Sequence, residues 1–141
     1  ATPTSEHGGR LSPDGKWIAY NSDESGRDEV YVQSFPNPGT KVLVSENGGI
    51  NAMWSRDGRE IVYRRGAEFR VVKVSTDPTF TVRSATTMFS GQYRLTGRDF
   101  DASPDGRRFV MMRSNEPRTS TTMHVVLNWW RMLDERLGRT R

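Results

Sequence analysis

The chain of 141 residues has no cysteine, only two histidines, and no apolar stretch near the roughly 18 residues that a membrane-spanning helix requires. The missing cysteines exclude a disulfide framework, a thiolate metal site and a cysteine nucleophile. The first seven residues are polar and contain no signal-peptide core. Hydrophobic residues make up 33% of the chain. We therefore expect no membrane insertion, and a protein rich in turns and loops around a small core.

Catalytic signatures are missing as well. The sequence has no Gly-x-Ser-x-Gly elbow, no Walker loop, no Gly-x-Gly-x-x-Gly and no His-Glu-x-x-His. His7 stands in the polar start and His124 opens a predicted strand, and neither has a partner at the spacing of a metal or catalytic site. The sequence thus predicts no catalytic residue, no metal and no cofactor.

One phrase is present three times. It reads SPDGKWIAY at residues 12–20, SRDGREIVY at 55–63 and SPDGRRFVM at 103–111, with offsets of 43 and 48 residues. Pro presets the backbone of a tight turn, Asp bonds its local backbone, and Gly supplies a positive φ. The apolar run that follows is typical of a strand. We interpret six residues as structural turn residues rather than a site: Asp14, Gly15, Asp57, Gly58, Asp105 and Gly106.

The period of the repeat predicts a β-propeller, because four short strands in about 40 residues make one blade. We predict an all-β propeller segment spanning 1–141, with three four-stranded antiparallel blades at 7–48, 49–97 and 98–128. The inner strand of the first blade should be short or irregular, since only two residues separate Gly9 from Ser12. In the second blade we expect the outer strand at 80–83 and a connection at 84–97. Helical spacing predicts a short C-terminal helix at 129–138, which takes the place of the outer strand of the last blade.

The phrase Ser-Pro-Asp-Gly-basic-x-apolar-x-aromatic resembles the blade repeat of TolB-like β-propellers. Residues 125–130, followed by a short polar helix, resemble the extreme C-terminus of bacterial Ser/Thr kinases that carry such a propeller. The resemblance covers nearly the whole chain. It implies a non-catalytic binding or scaffold module, a protein or peptide partner, and a location outside the cytoplasm.

Inner strands line the central channel of a propeller, so the polar residues Asn51, Asp99 and Asp101 are candidates for facing a bound ligand. Residues 99–106 superficially resemble a calcium loop. However, Pro104 stands where that loop needs Gly, and Val110 stands where it needs a bidentate Glu. We interpret this stretch as a polar strand end followed by a turn.

Two other functions stay open. The chain could be the propeller segment of a prolyl-oligopeptidase-like hydrolase and control access to its active site. Alternatively, its 18 arginines and formal charge of +4 could bind an anionic ligand or nucleic acid. Arginine is scattered over every predicted blade and acidic residues interrupt the basic tail, so we favour a solvated surface over nucleic-acid binding.

Closure of the ring raises a further possibility. Propellers typically have four to eight blades, so three blades cannot close a ring and leave two blade faces open. Two copies would supply six blades. The sequence therefore also predicts self-association, as an alternative to a place within a longer propeller.

Overall fold

The computed structural model describes residues 4–93, 100–103 and 108–112, and the backbone alone of 123–127. These residues form three antiparallel sheets and no helix. Two sheets have four strands, which confirms the prediction of an all-β fold built from blade-like sheets. The predicted helix at 129–138 lies outside the described residues. The chain divides into two compact units at residues 89 and 90, and each unit is described by itself.

We name the sheets blades A, B and C. Blade A consists of β1 (Glu6–Leu11), β2 (Trp17–Ser22), β3 (Glu29–Ser34) and β4 (Val42–Leu43). Blade B consists of β5 (Ile50–Trp54), β6 (Glu60–Arg65), β7 (Glu68–Ser75) and β8 (Thr81–Ser90). Strands of blades A and B pair in sequence order. Blade C shows β9 (Phe100–Ala102), β10 (Arg108–Met112) and β11 (Met123–Leu127), with β10 in the centre.

The first repeated phrase builds a hairpin turn between β1 and β2. The amide of Gly15, with φ at 69°, donates to the carbonyl of Ser12 at 2.9 Å. The Asp14 carboxylate accepts from the Ser12 hydroxyl at 2.5 Å and from the Lys16 amide at 3.1 Å. Ser12 then accepts from the Trp17 amide at 3.0 Å. The side chains of Ser12 and Asp14 thus bond each other and the backbone amides at the start of β2, and these bonds fix the turn between the two strands.

The second phrase repeats this geometry between β5 and β6. Asp57 accepts from the Ser55 hydroxyl at 2.7 Å and from the Arg59 amide at 3.1 Å, and Gly58 has φ at 70°. Arg56 occupies the place of Pro in this copy, and the turn forms all the same, because type I turns accept most residues there. In the third phrase the Arg108 amide donates to the Ser103 hydroxyl at 3.0 Å.

The inner strands carry a bulge at the same repeat position. The pairing of β1 with β2 shifts between His7 and Arg10, so this strand is irregular, but with six residues it is not short. The pairing of β5 with β6 shifts 43 residues later, between Ile50 and Met53. The intervening Gly8 has φ at 70° and Asn51 has φ at 57°. Both occupy the left-handed region that a bulge of this kind requires, which Gly and Asn tolerate best.

The outer strand of blade B is longer than the sequence analysis predicted. The prediction ended this strand at residue 83 and placed a connection at 84–97, whereas β8 runs from Thr81 to Ser90. Contacts with β7 explain the extension. The ring of Phe89 stacks on Phe69 with centroids 4.7 Å apart, and Thr87 accepts a hydrogen bond from Arg70 at 2.9 Å.

The hydrophobic core lies between blades A and B. Blade A contributes Ala19, Val30, Val32 and Val44, and blade B contributes Ala52, Ile61, Tyr63, Val72, Val74 and Phe80. Full burial of each large aliphatic or aromatic side chain contributes about 1.5–3 kcal/mol. Trp17 and Trp54 close one edge of this core against Phe80, with ring centroids at 5.4 and 6.2 Å.

Two buried polar side chains fix the connection from blade A to blade B. The Asn21 amide donates to the Gly49 carbonyl at 2.8 Å and accepts from the Asn51 amide at 3.3 Å. The Glu29 carboxylate accepts from the Gly48 amide and from Arg27 Nε, both at 2.8 Å, and from the Ser45 hydroxyl. Burial alone would raise the pKa of Glu29, but these hydrogen bonds and the charge of Arg27 together lower it.

Candidate functional site

Alternation of side chains gives each blade two faces, and the contact between blades A and B uses one face of each. Blade A presents Trp17, Ala19, Val30 and Val32, which we name its forward face. Blade B presents Ile61, Tyr63, Val72 and Val74, which we name its rear face. All eight residues belong to the core or pack against it. The blades within this unit therefore stack with forward face on rear face.

The rear face of blade A has the same pattern of residues as the rear face of blade B. Ile18 pairs with Gln33 across β2 and β3, as Ile61 pairs with Val72 across β6 and β7. The equivalence extends over both sheets. Gly9, Leu11, Ile18, Tyr20, Gln33 and Phe35 in blade A stand where blade B has Ala52, Trp54, Ile61, Tyr63, Val72 and Val74.

The two rear faces differ in exposure. In blade B, Ile61, Tyr63 and Val72 are fully buried against blade A. In blade A, Leu11 is 50% exposed and Phe35 is 43% exposed. Large apolar side chains at packing positions of a blade are thus open to solvent on this face. An exposed apolar patch with a polar rim is typical of an interaction surface.

A groove of about 280 Å³ lies on this rear face. Ile18 and Tyr20 form an apolar part of its lining, and Glu6, His7 and Gln33 supply polar groups. The groove also borders Gly9, where a Cβ atom would lie only 3.3 Å from Cδ1 of Ile18. A side chain at position 9 would therefore press against Ile18 in the groove.

Two of the polar groups around the groove, His7 and Gln33, have partners within the chain. His7 Nε2 lies 3.8 Å from a carboxylate oxygen of Asp28, and Gln33 donates to the Gly39 carbonyl at 2.9 Å. Among the described residues, no group of three or more His, Asp or Glu side chains could hold a metal ion.

Lys41 covers another part of the rear face. Its ammonium group lies 4.9 Å from the centroid of the Tyr31 ring and pairs with the carboxylate of Glu24. This pairing raises the pKa of Lys41, and burial raises the pKa of Tyr20 beside it. Tyr20 and Tyr31 are both buried, so the open part of the face consists mainly of Leu11, Ile18, Gln33 and Phe35, with Leu43 at its side.

The turn residues singled out from the sequence lie at one edge of the first unit. Asp14 and Asp57 are each bonded inside their own turn. The two turns are neighbours, since a Cβ atom on Gly58 would lie 3.6 Å from Cδ of Pro13. Gly15 has open space around it. Asp105 and Gly106 lie outside the described residues.

The three candidates for the channel have different settings. Asn51 is the left-handed residue of the β5 bulge, and its amide donates to Asn21. Asp101 is exposed on β9 and accepts from the Ala102 amide at 2.9 Å. Asp99 lies outside the described residues. Asn51 belongs to the first unit and Asp101 to the second.

The sequence analysis predicted open blade faces but did not name the residues of the rear face. The sequence could have identified these residues, because β2 and β6 match at an offset of 43 residues and the residues of one rear face point to those of the other. In β3 and β7 the offset falls to 39, since the six-residue loop 23–28 is replaced by the two-residue loop 66–67.

Among the residues that the structure describes, no helix has the length and apolar character needed to cross a bilayer.

Comparison with known proteins supports the fold. No protein-family profile matches the chain, and no curated protein is similar to it. Among solved structures it is similar to TolB from Acinetobacter baumannii, with a TM-score of 0.61 and 19% identity over 93% of this chain and 31% of that one. It is also similar to a putative TolB from Agrobacterium tumefaciens, with a TM-score of 0.61 and 19% identity over 90% of this chain and 46% of that one.

A putative 6-phosphogluconolactonase from Bacteroides uniformis is also similar, with a TM-score of 0.51 and 14% identity over 84% of this chain and 39% of that one. The chain thus spans less than half the length of each of these three structures. The likeness confirms the prediction of TolB-like propeller blades. Association with a kinase stays a prediction.

Proposed function

We propose that the chain is a non-catalytic propeller-blade module that binds a protein partner through the rear face of blade A. One observation carries the proposal: Leu11, Ile18 and Phe35 stand at the positions by which blade B packs on blade A, yet Leu11 and Phe35 are exposed. In blade B the residues at these positions pack against the neighbouring sheet, blade A.

The anatomy of the surface suits a protein better than a small molecule. Its open part carries the apolar side chains of Leu11, Ile18 and Phe35. Charged or amide groups such as Glu6, Gln33 and Lys41 stand beside them. Protein interfaces have this arrangement of apolar core and polar rim. By contrast, the carboxylates of Asp14, Asp57 and Glu29 are bonded to neighbouring backbone amides and hydroxyls, where they stabilise turns and connections.

Selection of binding peptides tests the proposal. The chain would be immobilised at low density, so that copies cannot meet, and phage-displayed peptides would be selected on it. We expect peptides that bind the wild type and the Val82→Arg variant but lose binding to Leu11→Arg. Val82 is the matched control, because it is 39% exposed but lies on the outer strand of blade B. Peptides unaffected by Leu11→Arg would contradict the proposal.

As part of this proposal, the module forms the sensor end of a bacterial Ser/Thr kinase, which the sequence resemblance of residues 125–130 supports. Tagging the chromosomal gene and sequencing its full product would test this. A kinase domain preceding this segment is expected, and a different catalytic domain would contradict it.

A second candidate function rests on charge. Lys16, Arg56 and Arg59 are exposed on the two adjacent hairpin turns, where the neighbouring aspartates are bonded within the turns. Such an edge could bind an anionic partner. Retention on heparin that falls steeply with salt and is lost in the Arg56→Ala, Arg59→Ala double variant would support it. Elution at low salt would remove it.

A further inference from the structure

We infer that the partner of the blade A rear face is a second copy of this chain, which docks on it with the forward face of blade C. Two copies would then join head to tail through two equal contacts. This inference rests on the proposed function, since it names the protein that the rear face binds.

Blade C exposes the complementary surface. The register of β9 and β10 pairs Val110 with Asp101 and Phe109 with Ala102. The third phrase follows the first by 91 residues, so Arg108, Val110 and Met112 stand where the forward face of blade A has Trp17, Ala19 and Asn21. Ala19 is fully buried against blade B, whereas Val110 is 40% exposed. The forward face of blade C therefore presents an apolar residue at a packing position and leaves it open.

The contact between blades A and B supplies the pattern for the contact between copies. In that contact a forward face built around Ala19 packs on a rear face built around Ile61. Blade C repeats the first set of positions, and blade A repeats the second. One chain thus carries both halves of a known contact, each open in its own unit. Surfaces of this kind form a heterologous contact, which gives a closed ring when the rotation per copy closes.

The described residues form three sheets. Two copies would therefore bring together six sheets of this kind, a number within the four to eight blades that closed propellers contain.

Light scattering on a sizing column tests the inference with four proteins: the wild type and its Leu11→Arg, Val110→Arg and Val82→Arg variants. The monomer has a mass of 16.1 kDa. We expect twice this mass for the wild type and for Val82→Arg. We expect the monomer for Leu11→Arg and Val110→Arg, because a guanidinium at a packing position of each contact should weaken dimerisation about 100-fold or more. Positions 11 and 110 are exposed, so the variants should fold, which circular dichroism would verify.

Mixing two variants adds a test of the geometry. In a ring of one Leu11→Glu copy and one Val110→Arg copy, both changes fall in the same contact and the other contact is of wild-type sequence. The mixture should therefore regain the dimer mass, although each variant alone is a monomer. A wild type that stays monomeric up to its solubility limit would overturn the inference, as would a dimer that both single arginine variants leave intact.

These outcomes separate the inference from the proposed function. If the wild type is a monomer but peptides selected at low density bind the rear face, the proposed protein-binding function stands. The inference that the partner is a second copy of the chain is then wrong. If peptides and dimer are both absent, both proposals fail. If the dimer forms, the selected peptides should dissociate it, because they compete for the same face.

Discussion

Replacement of Glu29 tests how the connection between blades A and B is held. Glu29 is 2% exposed and accepts hydrogen bonds from the Gly48 amide, Arg27 and the Ser45 hydroxyl. Ser45 in turn accepts from the Val30 amide at 2.7 Å. One carboxylate thus ties the end of blade A to the segment that enters blade B.

The size of the effect follows from the partners that remain. In Glu29→Ala the Gly48 amide and the Ser45 hydroxyl lose their acceptor, and each such group costs about 1–3 kcal/mol. The Arg27 side chain is 60% exposed, so it returns to water and adds little. We expect Glu29→Ala to lower the free energy of unfolding by about 3–5 kcal/mol. Glu29→Gln keeps the volume and one acceptor oxygen and should cost about 1–2 kcal/mol.

The effect of Glu29 should depend on pH. The pKa of Glu29 is lowered from its ordinary value of 4.5 in the folded chain. The carboxylate therefore contributes its full stabilisation above pH 4.5, and this contribution is lost as the pH falls through the lower folded pKa. The stability difference between the wild type and Glu29→Gln should accordingly be largest at neutral pH and shrink on acidification.

Urea unfolding followed by tryptophan fluorescence would measure these differences, because Trp17 and Trp54 border the core between the blades. Glu46→Gln is the matched control, since Glu46 is exposed on the same connection. We expect it to change stability by less than about 0.5 kcal/mol. Equal stability of the two Gln variants at neutral pH would refute the reasoning, and so would a difference that does not shrink with acid.

Three further predictions concern neighbouring residues. Asn21→Ala should lower the free energy of unfolding by about 2–4 kcal/mol in urea, because the Gly49 carbonyl and the Asn51 amide each lose a buried partner; an unchanged urea midpoint would contradict this. Asn51→Gly should be more stable than Asn51→Ala by about 1 kcal/mol, because both variants lack the Asn side chain but only Gly adopts the φ of 57° at this bulge without strain. Equal urea midpoints for these two variants would argue against a backbone role. Ile61→Ala should lower the free energy of unfolding by about 2–5 kcal/mol, because Ile61 is fully buried. Ile18 is only half-buried, so Ile18→Ala should lower it by less than half as much under conditions where the chain is monomeric. Similar losses of stability in urea unfolding would show that the two rear faces are covered alike.

The hairpins could be predicted because their cause is local. Ser, Asp and Gly satisfy a turn within a few residues, and both described Asp-Gly turns have that geometry. The extent of β8 could not be predicted, because Thr87 and Phe89 join the strand through contacts with Arg70 and Phe69 on β7. These contacts depend on the register between two strands, and turn residues do not reveal it.

The exposed face illustrates a second limit. Alternation in 18–20 and 61–63 shows that both faces of each sheet carry apolar residues, but it does not show which face is covered. Positions 18 and 61 are both Ile and occupy the same place in the repeat. Only the packing of blade A against blade B makes their burial differ. The asymmetry between a buried and an open rear face comes from the order of the blades in space.

Cross-linking between copies measures the docking of blade C on blade A most directly. Asn21 contacts Gly49 between blades A and B, and the repeat places Met112 and Glu6 at the equivalent positions. Because the chain has no cysteine, Glu6→Cys mixed with Met112→Cys offers one thiol per copy to a short bismaleimide linker. We predict a covalent dimer from this mixture and none when Val82→Cys replaces Glu6→Cys. Equal cross-linking in both mixtures, or none in either, would contradict the docking of blade C on the rear face of blade A.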